Sequence, residues 1–239
     1  MNLKDLDVVY FVKESPKNEE LRYSLRSLEE NWQYNRVWFV GGCPAGLKPD
    51  CEMRLNQHEP SKWENVREMM RKVCENDEIT ENFWLFNDDF FILRPMRENM
   101  PPQYGKTLED RIEQIESTHY GQRTEYTKRL RHLANTLKKA GKGTLNYAMH
   151  KPMLINRKKM LEVIEKFPDE PMVRALYGNY WEIGGEDVHD MKIEMCNWKN
   201  TATAVKEWEF VSTSDESFDG GQIGRWLRDR FNTPSRFEV

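Results

Sequence analysis

The chain has 239 residues, a formal net charge of -4 and 38% apolar residues. That is enough for one sizeable core, and the charge excludes a globally basic nucleic-acid-binding protein. No apolar run approaches the about 20 residues that span a bilayer. The N-terminus MNLKDLDVVYFV has no charged-then-apolar leader, and Cys43, Cys51, Cys74 and Cys196 form no CxxC pair, so a cytoplasmic protein with reduced thiols and no thiolate zinc site is expected.

In chain order, Asp7 to Val12 is a short run that is apolar on both faces, as in a central strand covered by helices on either side. NEELRYSLRSLEEN repeats Leu21, Leu25 and Leu28 at helical spacing, and RVWFVGG is a second buried-type strand closed by glycines. MRLNQ reads as a weak third strand, SKWENVREMMRKVCEN as a second amphipathic helix, and NFWLF as a fourth strand. Strands alternating with helices imply an α/β layer structure with a mostly parallel sheet. Residues 106–142 carry no strand signal. There Tyr126, Leu130, Leu133 and Leu137 make one apolar stripe, and the stretch from Gly121 to Gly143 holds seven Lys or Arg against one acid. This segment is expected to be a helical insertion within a single domain spanning 1–239. Its basic face is read first as solvated surface, with a docking site for a phosphate-bearing acceptor as the sharper alternative. LNYAMHKPMLINR returns to strand character, KKMLEVIEKF is a short helix, and YGNYWEIGGEDVHDMKIEM is a glycine-broken loop leading into an acidic helix start. EWEFVSTSD followed by GGQIGRWLRDRF gives a last strand, a loop and a closing helix.

The chemistry concentrates in NFWLFNDDFFIL, where Asp88 and Asp89 stand in an otherwise aromatic and aliphatic setting. A carboxylate removed from water without a partner costs several kcal/mol, so something positive, or solvent, must meet this pair. They follow a buried strand directly, and in open α/β sheets ligands bind at the carboxyl ends of strands. Neighbours on a regular strand point to opposite faces, so a bend after Phe86 is needed if both are to face one crevice. Mg²⁺ or Mn²⁺ suits such a pair, taking one or two carboxylates plus phosphate oxygens of a substrate. The bland alternative is a capped turn leaving a strand.

EIGGEDVHD is the second cluster. Gly184 and Gly185 permit positive φ or close backbone approach, and Glu186, Asp187, His189 and Asp190 follow. Glu186 or Asp187 is a candidate general base toward an acceptor hydroxyl, or a further metal ligand; acids suiting a helix dipole are the structural alternative. His150, in NYAMHKP, ends a predicted strand and can face the same crevice. Arg22, Arg26, Lys62 and Arg174 are candidates for phosphate neutralisation, although arginines on amphipathic helices are usually solvated. No P-loop or dinucleotide glycine motif is present.

DVVYFV, ELRYSLRSLEEN, RVWFVGGCPAGL and FWLFNDDFFI, in that order, resemble the first two conserved regions of the Stealth family, over roughly residues 7–94. NYAMHKP resembles that family's later His-x-Pro region and MVRALYGNYW, more loosely, its arginine-bearing region. The family transfers sugar phosphate from nucleotide sugars and needs a divalent metal. The resemblance therefore implies Asp88 and Asp89 as metal ligands, Glu20 and Arg22 on the donor side, and His150 and Arg174 at the transferred group; Lys62 is a donor-side candidate from its charge alone. GGED separately looks like the Gly-Gly-Glu-Asp segment of some GT-A glycosyltransferases, whose acids contact the acceptor. The expectation is a GT-A/Rossmann-like transferase using a nucleotide sugar and Mg²⁺ or Mn²⁺ on a carbohydrate or other hydroxyl acceptor, moving sugar-1-phosphate or, alternatively, the sugar itself. A metal-dependent phosphodiesterase and a carbohydrate-binding protein with exposed aromatic platforms are the competing classes.

Overall fold

The computed structural model describes residues 2–59, 61–96, 100–118, 124–194, 205 and 208–239. Its centre is a five-stranded sheet built from β1 (Asp7–Val12), β2 (Val37–Gly41), β3 (Cys51–Arg54), β4 (Asn82–Asn87) and β7 (Met153–Asn156), in the order β3-β2-β1-β4-β7. The first four are parallel, and β7 runs antiparallel to β4. This is the mostly parallel, helix-flanked α/β class expected from the strand and helix alternation.

Every residue of β1 is buried because both faces are covered. Val9 and Phe11 face a core shared with α2 (Lys62–Glu75), α4 (Glu125–Lys139), α5 (Arg157–Lys166) and α6 (Val173–Tyr180), whereas Val8, Tyr10 and Val12 face Leu21, Leu25 and Leu28 of α1 (Glu19–Asn31). Edge strand β3 alternates instead, with Glu52 and Arg54 exposed. That explains why its signal was weak and why its true position lies two residues ahead of MRLNQ.

After β4 the chain turns at Asp88–Asp89 into β5 (Phe90–Ile92), which leaves the central sheet. It joins a second sheet, β5-β10-β9, with β9 (Lys192–Ile193) and β10 (Phe210–Thr213). This sheet was not expected. Phe91 and Val211 back onto a third core with Phe218 and Leu227, from α7 (Asp215–Asp219) and α8 (Gln222–Arg230).

Several local expectations are corrected. Only Met153–Asn156 of LNYAMHKPMLINR is strand, so His150 precedes β7 rather than ending a strand. YGNY closes helix α6 rather than opening a loop. Glu186–Asp187 is not a helix start: it is β8, pairing in parallel with β6 (Gln103–Tyr104). Gly185 makes that pairing possible, with φ +117° and a position where an added Cβ would lie 2.0 Å from the Pro102 carbonyl oxygen. Segment 106–142 does form helices, α3 (Leu108–Thr118) and α4, but Leu130, Leu133 and Leu137 lie in the same core as the central sheet. The basic outer face is largely answered by acids: Arg131 with Glu116, Lys138 with Glu109, and Arg129 with Glu64 and Glu125. That favours solvated surface over a docking site. Cys43 and Cys51 are half-buried, Cys74 is buried, and all three are free thiols; Cys196 lies outside the described residues. No helix among the described residues is long and apolar enough to cross a membrane.

Candidate active site

Three pieces of chain meet at the carboxyl end of β4. The first is the start of α1, where Asn18 caps the helix by accepting from the Leu21 N–H at 2.9 Å and, with the other end of its amide, donates to Asp88 Oδ2 at 2.7 Å. The second is the Asp88–Asp89 turn itself. The third is the edge of the second sheet, where Ser212 and Lys192 are register partners and so leave the sheet on one face. There Ser212 Oγ donates to Asp89 Oδ2 at 2.9 Å, and Lys192 Nζ lies 3.5 Å from the same oxygen. The bend predicted after Phe86 comes one residue later, and it splits the pair: Asp88 turns toward α1, Asp89 toward β9 and β10.

Glu20 joins them, accepting from Thr213 Oγ1 at 2.6 Å. Loss of hydration pushes its carboxyl up to about 8, against the Thr213 hydrogen bond, with Asp89, Asp88 and Asp215 adding repulsion. Desolvation, followed by the charge of Asp89, likewise lifts Asp88 to about 6. The mouth of β4 is thus a place where the three carboxyls resist ionising together unless positive charge is added. Asp89 Oδ1 is buried and has no hydrogen-bond partner among the described residues. The donor set is hard oxygen, which suits Mg²⁺ or Mn²⁺. No three His, Cys, Asp or Glu side chains among the described residues close into a complete protein cage, so the fit is to a cation that takes its remaining ligands from substrate.

Lys192 also lines a cleft of about 690 Å³ with Asp187, Asp190 and Arg111. Asp190 receives the His150 backbone N–H at 3.1 Å and lies 2.8 Å from His150 Nδ1, which fixes the ring and leaves Nε2 for other work. Arg174, on α6, stands behind this pair and donates to the Lys151 carbonyl. Burial lowers its guanidinium to about 10, with Asp190 and then Asp89 pulling the other way. Arg174 is therefore the electrostatic link between the two acidic clusters.

The sequence candidates divide accordingly. Asp88, Asp89 and Glu20 gather at the β4 end, while Asp187 lines the cleft, His150 is held by the cleft-lining Asp190, and Arg174 lines a separate small cavity rather than the cleft. Asp187 Oδ1 accepts from the Lys106 N–H at 3.0 Å, and neighbouring Glu186 is exposed and outside the cleft lining. Arg22 is turned to Glu19 and Glu238, and Arg26 forks onto Glu238 at 2.7 Å for both nitrogens. Lys62 stays at the start of α2, its ammonium 4.9 Å from the Trp63 ring centre. Asn18, Ser212, Thr213 and Lys192 were missed. For Ser212 and Thr213 a signal existed, since hydroxyls end the buried strand in EWEFVSTSD. For Lys192 there was none, because a parallel register between β9 and β10 cannot be read locally.

No family model matches the chain, so the Stealth resemblance has no counterpart there, and comparison with curated protein sequences finds no match. Among solved structures, the apo-form glycosyltransferase GlyE of Streptococcus pneumoniae TIGR4 is similar at 10% identity and TM-score 0.45, over 96% of this chain and 60% of GlyE. This chain thus spans less than two thirds of that protein. A glycosyltransferase involved in glycosylation of the major capsid of PBCV-1 is similar at 10% identity and TM-score 0.41, over 96% of this chain and 100% of that one. The galactosyltransferase LgtC, in complex with donor and acceptor sugar analogues, gives 12% identity and TM-score 0.40, over 98% and 85%.

Proposed function

We propose that the chain is a nucleotide-sugar-dependent transferase whose donor diphosphate sits at the Asp88–Asp89 turn. The observation that carries this reading is the buried Asp89 Oδ1, without a hydrogen-bond partner among the described residues, at the mouth of a central parallel strand and among acids that a bound cation would help to ionise. Asp88 and Asp89 would hold Mg²⁺ or Mn²⁺, which when bound offsets the charge of the donor diphosphate. Lys192 serves that diphosphate as a point charge and fixes Asp89 meanwhile.

The first reading of the chemistry is sugar-1-phosphate transfer. An acceptor hydroxyl oxygen bonds to the phosphorus nearest the sugar, the bond from that phosphorus to the bridging oxygen breaks, and nucleoside monophosphate leaves. His150, held through Nδ1 by Asp190, takes the hydroxyl proton at Nε2, and Arg174 faces the charge on the transferred phosphoryl group. The second reading, transfer of the sugar with release of nucleoside diphosphate, is supported by Asp187, which lines the cleft together with Asp190 and Lys192 and would be its base. Glu186, outside the lining, is the weaker candidate for that role.

The test begins with thermal-shift measurements on a panel of nucleotide sugars with and without Mn²⁺, followed by identification of the nucleotide product with the stabilising donor. Nucleoside monophosphate, with turnover lost in His150→Ala and donor binding retained, is the expected result. Nucleoside diphosphate, with His150→Ala active and Asp187→Asn dead, establishes sugar transfer instead. If no nucleotide sugar stabilises the protein and phosphodiesters are hydrolysed, the transferase reading fails.

A further inference from the structure

We propose that a second, enclosed cavity at the β7 edge of the sheet, lined by Trp84, Lys151 and Arg174, is a binding site for a phosphoryl group. The cavity measures about 50 Å³, room for a group of a few heavy atoms, and Gln103, Tyr147 and Met149 complete the part of its lining that matters here. Its polar chemistry is almost all donor. Lys151 is only 4% exposed, yet among the described residues its ammonium has one hydrogen-bond partner, Gln103 Oε1 at 3.1 Å. Arg174 presents a buried Nε–H and Trp84, also 4% exposed, an indole N–H, and neither finds an acceptor among the described residues. The Tyr147 hydroxyl is already donating to the Gly184 carbonyl at 2.8 Å.

No carboxylate lines the cavity, and neither cation has an ion-pair partner among the described residues. Asp190 and Glu209 act on Lys151, and Asp190 and Asp89 on Arg174, only through longer-range charge. Burial depresses the pKa of both cations, so each holds its charge at a cost that an anion in the cavity would remove. Water satisfies N–H groups but neutralises nothing. Two cations, one of them with an unpaired Nε–H among the described residues, and one further N–H donor match a tetrahedral dianion with three terminal oxygens better than a planar, singly charged carboxylate.

Met149 lines both this cavity and the main cleft, which puts the two side by side. Within the transferase reading the group held here is a phosphate on the acceptor. That last assignment rests on the transferase reading; the anion site itself does not.

The experiment is calorimetric titration of the whole chain with inorganic phosphate, without nucleotide or metal, and with acetate as the second arm. Wild type binds phosphate saturably and acetate roughly tenfold or more weaker; Lys151→Met weakens phosphate at least about tenfold, and Trp84→Phe a few-fold. Because Lys151→Met removes a buried charge, its melting temperature without phosphate is unchanged or higher, and a given phosphate concentration raises the melting temperature of wild type more than that of the variant. Absence of saturable phosphate binding, equal binding by Lys151→Met, or acetate binding as well as phosphate overturns the proposal. Nucleotide-sugar turnover, present or absent, has no bearing on this titration.

Discussion

Asp7 and Asp89 are carboxylates set against the two ends of the central sheet. Asp7, wholly buried at the start of β1, receives hydrogen bonds from Asn35, from Arg36, from the Trp38 indole and from the Thr80 N–H, so its charge is spent on holding the base of the sheet. Asp89, at the opposite end, keeps one buried oxygen without a hydrogen-bond partner among the described residues. A group that folding leaves dissatisfied is available to a ligand, and its removal costs the fold little. Asp89→Asn is therefore expected to weaken Mn²⁺-dependent UDP binding by about 10- to 100-fold while leaving the melting temperature unchanged or slightly higher; calorimetry with UDP and Mn²⁺ checks this. Unaltered affinity in the variant would return the NDD turn to a purely structural role. Glu20 yields a pH signature. Its folded-state pKa, about 8, lies above the ordinary value of 4.5, so between these values the folded chain keeps a proton that the unfolded chain has released. Its contribution is fully present below pH about 4.5 and is lost as pH rises toward 8. Melting temperatures of wild type at pH 5, 6.5 and 8 should decline, and those of Glu20→Gln should decline less; parallel curves would show that Glu20 does not titrate in this window.

Among the elements, α1 shows why one motif serves both packing and chemistry. Leu21, Leu25 and Leu28 fill the core, while Ser24, Ser27 and Asn31 form a neighbouring polar stripe along the same buried side. That stripe meets the open edge of β5: Ser24 donates to the Phe90 carbonyl, the Ile92 N–H donates to Ser27 Oγ at 3.0 Å, and Asn31 donates to the Ile92 carbonyl at 2.9 Å. An edge strand that would otherwise bury unpaired backbone groups is satisfied by a helix, and the Asp88–Asp89 turn is pinned between β4 and that clamp. Ser27→Ala leaves the Ile92 N–H buried without a partner, with an expected loss of about 1–3 kcal/mol in urea unfolding and weaker nucleotide binding from a loosened turn. Ser117→Ala, on the exposed surface of α3, removes a hydroxyl that bonds only its own helix at the Gln114 carbonyl and should change stability by less than about 0.5 kcal/mol. Equal effects at the two serines would show that the clamp carries no weight.

For the molecule as a whole, the question is whether α3 and α4 are an accessory or part of the fold. Leu133 is fully buried in the core that also holds Val9, Phe83 and Ile155 of the central sheet, and Arg111 of α3 lines the cleft. Leu133→Ala should cost about 2–5 kcal/mol and shift one cooperative unfolding transition. A detachable insertion would instead give a separate early transition with the remainder unchanged.

Local pattern was sufficient for β1, α1, β2, α2, β4 and the closing helix, because burial on two faces or one writes itself into apolar spacing over a few residues, and it was sufficient to single out Asp88 and Asp89, because adjacent carboxylates stand out in an aromatic run. The glycines of GGED were legible as backbone devices, although the two-residue strand they serve was not, since a strand that short has no period of its own. The second sheet, the direction of β7 and the partnering of Lys192, Ser212 and Asp89 were decided only by tertiary structure. Residue 89 meets residues 192 and 212 through strand pairing across more than a hundred positions, and whether an arginine is buried without an ion-pair partner among the described residues, as Arg174 is, or meets acids at the surface, as Arg22 does, depends on what the rest of the chain places opposite it.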